Sequence, residues 1–191
     1  MDLYAMDAWF LISATLLAVS GGAKLADPAP TSGALAAASL PSGRPWARLL
    51  GLVEIAVAVV AIAFGGVVGG VGVAVMYAGF AGFVAVALRR NLPVQSCGCF
   101  GKVDTPPTWL HVAVNLSAVT AGVGVAVSGG GALPDMLSGQ PLAGLPYLVL
   151  LGVGVFALYL ILAELPRLGR PVTGLPVTGL PVSGLPASGR P

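Results

Sequence analysis

Five apolar runs, each close to twenty residues long, constrain this chain more than anything else in it. They lie near residues 3–25, 46–64, 67–88, 109–127 and 145–165. Each has about the length an α-helix needs to cross ~30 Å of hydrocarbon. Only 8% of the residues are charged and 57% are hydrophobic, where a soluble domain carries about a quarter charged residues. The expected fold class is therefore all-α, a polytopic transmembrane helix bundle over residues 1–165, with the lipid bilayer as its surroundings.

The charges set an expected orientation. The flank of the first run carries Asp2 and Asp7 but no Lys or Arg, whereas a signal peptide begins with a basic region. The run is expected to stay as a helix. All nine Lys and Arg residues, from Lys24, Arg44 and Arg48 through Arg89, Arg90 and Lys102 to the tail, fall on one side of a five-span arrangement. The positive-inside rule then puts the N-terminus outside and the C-terminus inside. The same residues form no basic run suited to nucleic acid, so no nucleic-acid partner is expected.

Several spans offer small residues four apart, such as Ala78/Gly82 and Ala81/Ala85, while Gly65/Gly69 and Gly66/Gly70 qualify only if the third span starts before residue 67. Such faces let helices approach closely in lipid. The connection over residues 27–45 holds an apolar patch at 34–40 that is too short to span, so an interfacial or shallow re-entrant segment is expected there. Residues 128–144 are Gly-rich and nearly uncharged and read as a flexible external loop. Residues 166–191 repeat a pentapeptide, Pro171-Val172-Thr173-Gly174-Leu175 recurring identically at 176–180 and then with variation. Proline every fifth residue blocks a helix, so this tail reads as disordered low-complexity sequence.

The only two cysteines stand in Gln95-Ser96-Cys97-Gly98-Cys99-Phe100-Gly101, a polar break between the third and fourth spans. Two residues of extended chain reach at most ~7 Å, and a disulfide wants ~4.4–6.8 Å between Cα atoms. A turn at Gly98 makes an intrachain bond feasible. The tight ring would be strained, hence readily exchanged, and it closes too little chain to staple a fold. The pair is accordingly the candidate catalytic centre, against the alternative of two ordinary loop thiols. By the charge count it lies on the cytoplasmic side. Cys97, Cys99, His111 and Asp104 do not show the converging spacing of a zinc site, and no metal is assigned.

Other polar residues are candidates for support. His111, the only histidine, opens the fourth span, either as an interfacial residue or folded back to assist thiolate formation. Lys102 and Arg90 are alternatives for that task. Glu54 lies inside the second span, where an ionisable group normally faces a partner, and Lys24 is placed to reach it. Asn115, early in the fourth span, is expected to bond a neighbouring helix.

With those residues in place, the chain resembles the MauE family of methylamine-utilisation clusters and the wider DoxX-like membrane group. The resemblance is carried by Gly22-Ala23-Lys24-Leu25-Ala26-Asp27-Pro28, by Glu54, by Cys97-Gly98-Cys99-Phe100-Gly101 and by Asn115, and it runs from about Trp9 to Val127. It implies a DoxX-like four-helix core with one additional C-terminal span, in a bacterial inner membrane. It further implies a role in disulfide formation in an exported enzyme alongside a thioredoxin-like partner, with Cys97 and Cys99 as redox pair and Lys24 and Glu54 as support. The expected function is thiol–disulfide exchange between that partner and a second carrier. A quinone is a candidate carrier, although no residue demands one. The alternative is a non-catalytic membrane assembly factor. A small transporter is least supported, since the spans hold few ionisable groups and no pair of broken helices.

Overall fold

In a computed structural model, residues 3–92, 107–138 and 140–163 are described. The cysteine segment and the repeat tail lie outside them. Proline explains much of where helices begin. Pro30, Pro45, Pro134 and Pro146 all fall in the first turn of a helix, where the missing N–H costs nothing. The helices are α1 (Leu3–Ala26), α2 (Ala29–Ala37), α3 (Arg44–Phe64), α4 (Gly66–Arg89), α5 (Trp109–Ser128), α6 (Leu133–Ser138) and α7 (Leu145–Ala163), with a 3-10 turn at Pro141–Gly144. Five of them are long and apolar enough to cross a membrane, and no strand occurs among the described residues. The protein is a polytopic helical bundle.

The chain runs up and down, so the end of α1, the starts of α3 and α5 and the end of α4 share one end of the bundle. This basic end carries Lys24, Arg44, Arg48, Arg89 and Arg90. Trp46 and Trp109 sit there half-exposed, as aromatic residues do at a membrane interface. The opposite, glycine-rich end holds the α3–α4 turn. Gly65 adopts φ 54°, ψ −134°, and a Cβ on it would lie 2.5 Å from both Gly130 O and Ala132 N. Only glycine fits that turn, and the Gly66 N–H donates to the Gly130 carbonyl at 2.8 Å to lock it.

Two helix pairs dominate, α4 on α5 and α1 on α3. Each is a glycine-on-glycine crossing. A Cβ on Gly70 would meet Gly122 O at 2.5 Å, and one on Gly122 would meet Gly70 O at 2.8 Å. On the other pair, a Cβ on Gly21 would meet Gly51 O at 2.5 Å, and one on Gly51 would meet Gly21 O at 2.8 Å. Close backbone approach is what small residues supply in lipid. Gly69 packs in the same way on Ala61, whereas a Cβ on Gly82 would meet nothing within 4 Å. The Ala78/Gly82 face is thus not a packing seam of this bundle, and the seam at Gly69 and Gly70 lies about two to three turns nearer the glycine-rich end.

The largest buried cluster joins α1, α4 and α5 through residues such as Phe10, Leu11, Val73, Tyr77 and Val125. α7 leans on α1 through Leu16, Leu158 and Leu162, and most of its surface, including Leu150 and Phe156, faces outward. Two connections carry short helices. The 27–45 segment forms helix α2, beginning five residues before the apolar patch. Residues 128–144 are not a featureless loop, because α6 and the 3-10 turn fold there and Leu133 and Met136 pack against the main core.

Candidate functional site

The most heavily committed polar group in the bundle is an ion pair between α1 and α3. Lys24 lies on the last turn of α1, and Glu54 lies about three turns into α3. Their side chains are 2% and 0% exposed. Lys24 Nζ sits 2.9 Å from Glu54 Oε1 and 3.0 Å from Oε2, and it donates to Ser20 Oγ at 2.6 Å. Oε2 and Ser20 are aligned acceptors; Oε1 is close but off the hydrogen-bond direction. An ammonium has three protons, so one of them has no aligned acceptor among the described residues. The Phe80 ring centroid lies 5.6 Å from Nζ, within cation–π range.

Local sequence positions the pair. Gly21 and Lys24 are three apart on α1, and Gly51 and Glu54 are three apart on α3. Residues at that spacing share a helix face. Because the two helices run antiparallel, each glycine sits against the other helix's charged residue, Gly21 beside Glu54 Cβ and Gly51 beside Lys24 Cβ, and the long Lys24 side chain covers the remaining turn to the carboxylate. Two charges in a low-dielectric interior are costly unless paired and bonded; Ser20, one turn before Lys24, supplies the extra bond.

A second polar region lies beside it, between α1, α4, α5 and α7. A small cavity of about 30 Å³ is lined by Ser13, Ser20, Tyr77, His111 and Asn115 together with apolar residues, enough room for a water molecule. Tyr77 Oη donates to the Ser13 carbonyl at 2.7 Å, and its ring meets Phe80 edge-on at 5.9 Å. Ser20 therefore contacts both the ion pair and the cavity.

His111 and Asn115 are both buried on α5. His111 is the third residue of that helix, and its Nδ1 accepts from the Thr108 N–H at 3.3 Å and lies 2.9 Å from Thr108 Oγ1. Nδ1 as acceptor leaves the proton on Nε2. The ring thus caps the helix start while facing the cavity. Asn115 lines the cavity one turn further on, and its amide has no hydrogen-bond partner among the described residues, where an interhelical bond was expected. Replacing Asn115 with leucine removes an amide that opens on the cavity and that no described residue bonds, a change that is near neutral or stabilising. The melting temperature of Asn115→Leu should therefore stay at or above that of the wild type. A drop of several degrees would assign Asn115 a structural bond.

Of the sequence-derived candidates, the structure joins Lys24 to Glu54 and sets His111 and Asn115 on one cavity beside them. Cys97 and Cys99 lie outside the described residues. Sequence reasoning missed Ser20, Gly21, Gly51, Tyr77 and Phe80. For the glycines a signal existed, the matched Gly-x-x-Lys and Gly-x-x-Glu spacing in two successive spans. Asp7, read only as an N-terminal flank, is buried near Gly130.

Five long apolar helices and an ion pair buried between two of them define a polytopic helical membrane protein. The chain belongs to the family of the methylamine utilisation protein MauE, whose sequence model matches residues 3–134. Among curated proteins and solved structures, nothing matches it. The family match ends within α6, so α7 lies beyond it.

Proposed function

We propose that this protein is an integral membrane thiol–disulfide exchange protein serving the maturation of an exported enzyme, with Cys97 and Cys99 as its redox pair. One observation carries the reading: the chain's only two cysteines stand two apart in the segment joining α4 to α5, within the residues matched to the MauE family. The end of α4 and the start of α5 fix both ends of that segment at the basic end of the bundle. Methylamine utilisation, the process for which the family is named, is the corresponding pathway, and a thioredoxin-like protein is the exchange partner.

In the exchange, a thiolate of one protein attacks a disulfide sulfur of the other and displaces one of its thiolates. The resulting mixed disulfide is attacked by the second thiolate of the attacking pair, leaving a disulfide on one protein and a dithiol on the other. Lys24, Glu54, His111 and Asn115 form the buried support on which the segment's two anchoring helices are held. The positive-inside rule puts the basic end, and the pair with it, on the cytoplasmic face of a bacterial inner membrane.

Changing both cysteines to serine should abolish mixed-disulfide formation with the partner and leave bundle stability unchanged. Alkylation of intact cells with permeant and impermeant maleimides, before and after reduction, reads both the redox state and the side. A double-serine protein that still supports enzyme maturation would replace this reading with that of a non-catalytic assembly factor.

A further inference from the structure

A cleft of about 270 Å³ opens between α2, α3 and α4 beside the ion pair. Its walls are apolar and include Leu35, Leu50, Val75, Met76 and Phe83, and Lys24 is the one charged residue that lines it. We infer that this cleft binds the ring of a membrane quinone, a ring carbonyl oxygen accepting a hydrogen bond from Lys24 Nζ. The site itself is read from the described residues; its electron donor rests on the thiol-exchange reading above.

Access points to a lipid-soluble ligand. Val75, which lines the cleft from spanning helix α4, is 63% exposed, and an exposed apolar side chain on a spanning helix faces hydrocarbon. A ligand reaching the cleft past Val75 comes from the bilayer. Chemistry then narrows the class. Among the described residues one Lys24 ammonium proton has no aligned acceptor, Glu54 Oε1 lying 2.9 Å from Nζ but off the hydrogen-bond direction, and a buried donor left unmatched costs ~1–3 kcal/mol. A quinone carbonyl supplies that acceptor, whereas a lipid acyl chain supplies none. The volume suits one substituted ring, lying just below the ~300–1,000 Å³ typical of pockets for drug-sized ligands.

Electron balance selects the same class. Oxidising two thiols to a disulfide breaks two S–H bonds, forms one S–S bond and releases two electrons and two protons. A quinone takes up two electrons and two protons to become a quinol, so the exchange closes with no further reactant. The direction follows: partner dithiols reduce the Cys97–Cys99 disulfide, and the quinone restores it. The chain's path agrees with that coupling. Leu92, the last described residue before the cysteine segment, packs in the same cluster as Phe83 of the cleft wall. Cys97 follows five residues later, within roughly 18 Å of extended chain.

Two glycines of α4 give a clean test. Gly79 lines the cleft, and a Cβ there would meet nothing within 4 Å. Gly79→Leu therefore fills the cleft without moving backbone, and leucine favours the helix over glycine. Gly82 is equally open but does not line the cleft, so Gly82→Leu is the control. In lipid nanodiscs, a photoactivatable azidoquinone should label peptides spanning residues 75–83, and decylubiquinone should compete it away. Labelling should fall at least tenfold in Gly79→Leu and persist in Gly82→Leu, both variants being monodisperse on size exclusion. Equal labelling of the two variants, labelling that decylubiquinone does not displace (the result for a lipid-filled groove), or no labelling of the wild type would overturn the inference. Labelling needs no electron transfer, so the double-serine protein should still be labelled. If the wild type binds quinone yet never forms a mixed disulfide, the site stands and the thiol-exchange reading falls.

Discussion

Replacing Glu54 with leucine while keeping Lys24 should cost the bundle most of its stability. The substitution leaves an ammonium group 2% exposed with its counter-ion gone. Breaking a buried pair by removing one partner costs ~3–5 kcal/mol, because the remaining charge is uncompensated. That corresponds to a fall of roughly 10²–10³·⁵ in the folded-to-unfolded ratio, where 1.4 kcal/mol is tenfold. Thermal unfolding in detergent and accumulation in the membrane would both register it. Removing both charges, as in Lys24→Met with Glu54→Leu, should recover most of the loss, since an apolar replacement of a buried pair is often neutral or better. A Glu54→Leu protein as stable as the wild type would falsify the view that the pair is mutually dependent.

The second large effect is expected one turn away, at a residue with no charge. Gly51→Leu places a side chain against Gly21 O and Lys24 Cβ, which a bare Cβ already approaches to 2.8 and 3.0 Å. Overpacking alone costs ~1–3 kcal/mol. Here the helices must also move apart, and an ion pair at 2.9 Å does not survive a separation of an ångström or two. The glycine substitution should therefore behave in large part as a loss of the pair. Non-additivity is the signature: in a background where Lys24 and Glu54 are already Met and Leu, Gly51→Leu should cost clearly less than in the wild type. If the cost is the same in both backgrounds, crossing and ion pair are independent.

These two cases also show what could be read from the chain alone. The spans were legible because a bilayer imposes one length and one composition on every crossing segment. The Lys24–Glu54 pair was legible for a related reason, since two ionisable groups inside apolar runs have few places to go. The crossing that makes the pair was not. It needs the register of two helices 30 residues apart in sequence, which hydropathy does not encode. The same applies to Ala78/Gly82, where the small-residue pattern is present but no neighbour packs on Gly82. Helix α6 escaped because six residues hold less than two turns, too few for a periodic signal, and its packing comes from tertiary contacts of Leu133 and Met136. Asn115 shows the opposite error. An amide in a spanning segment suggested a bond across helices, and the structure turns it toward a polar cavity instead.

The parity of the crossings has a consequence for geography. A bundle of four alternating spans returns its chain to the face where it began. α7 adds a fifth passage, from the glycine-rich end back to the basic end, and its last turn packs near His111 at the head of α5. Ala163 therefore lies at the same end of the bundle as the end of α4 and the start of α5. A helix that buries little of itself thus decides at which end of the bundle the described chain finishes.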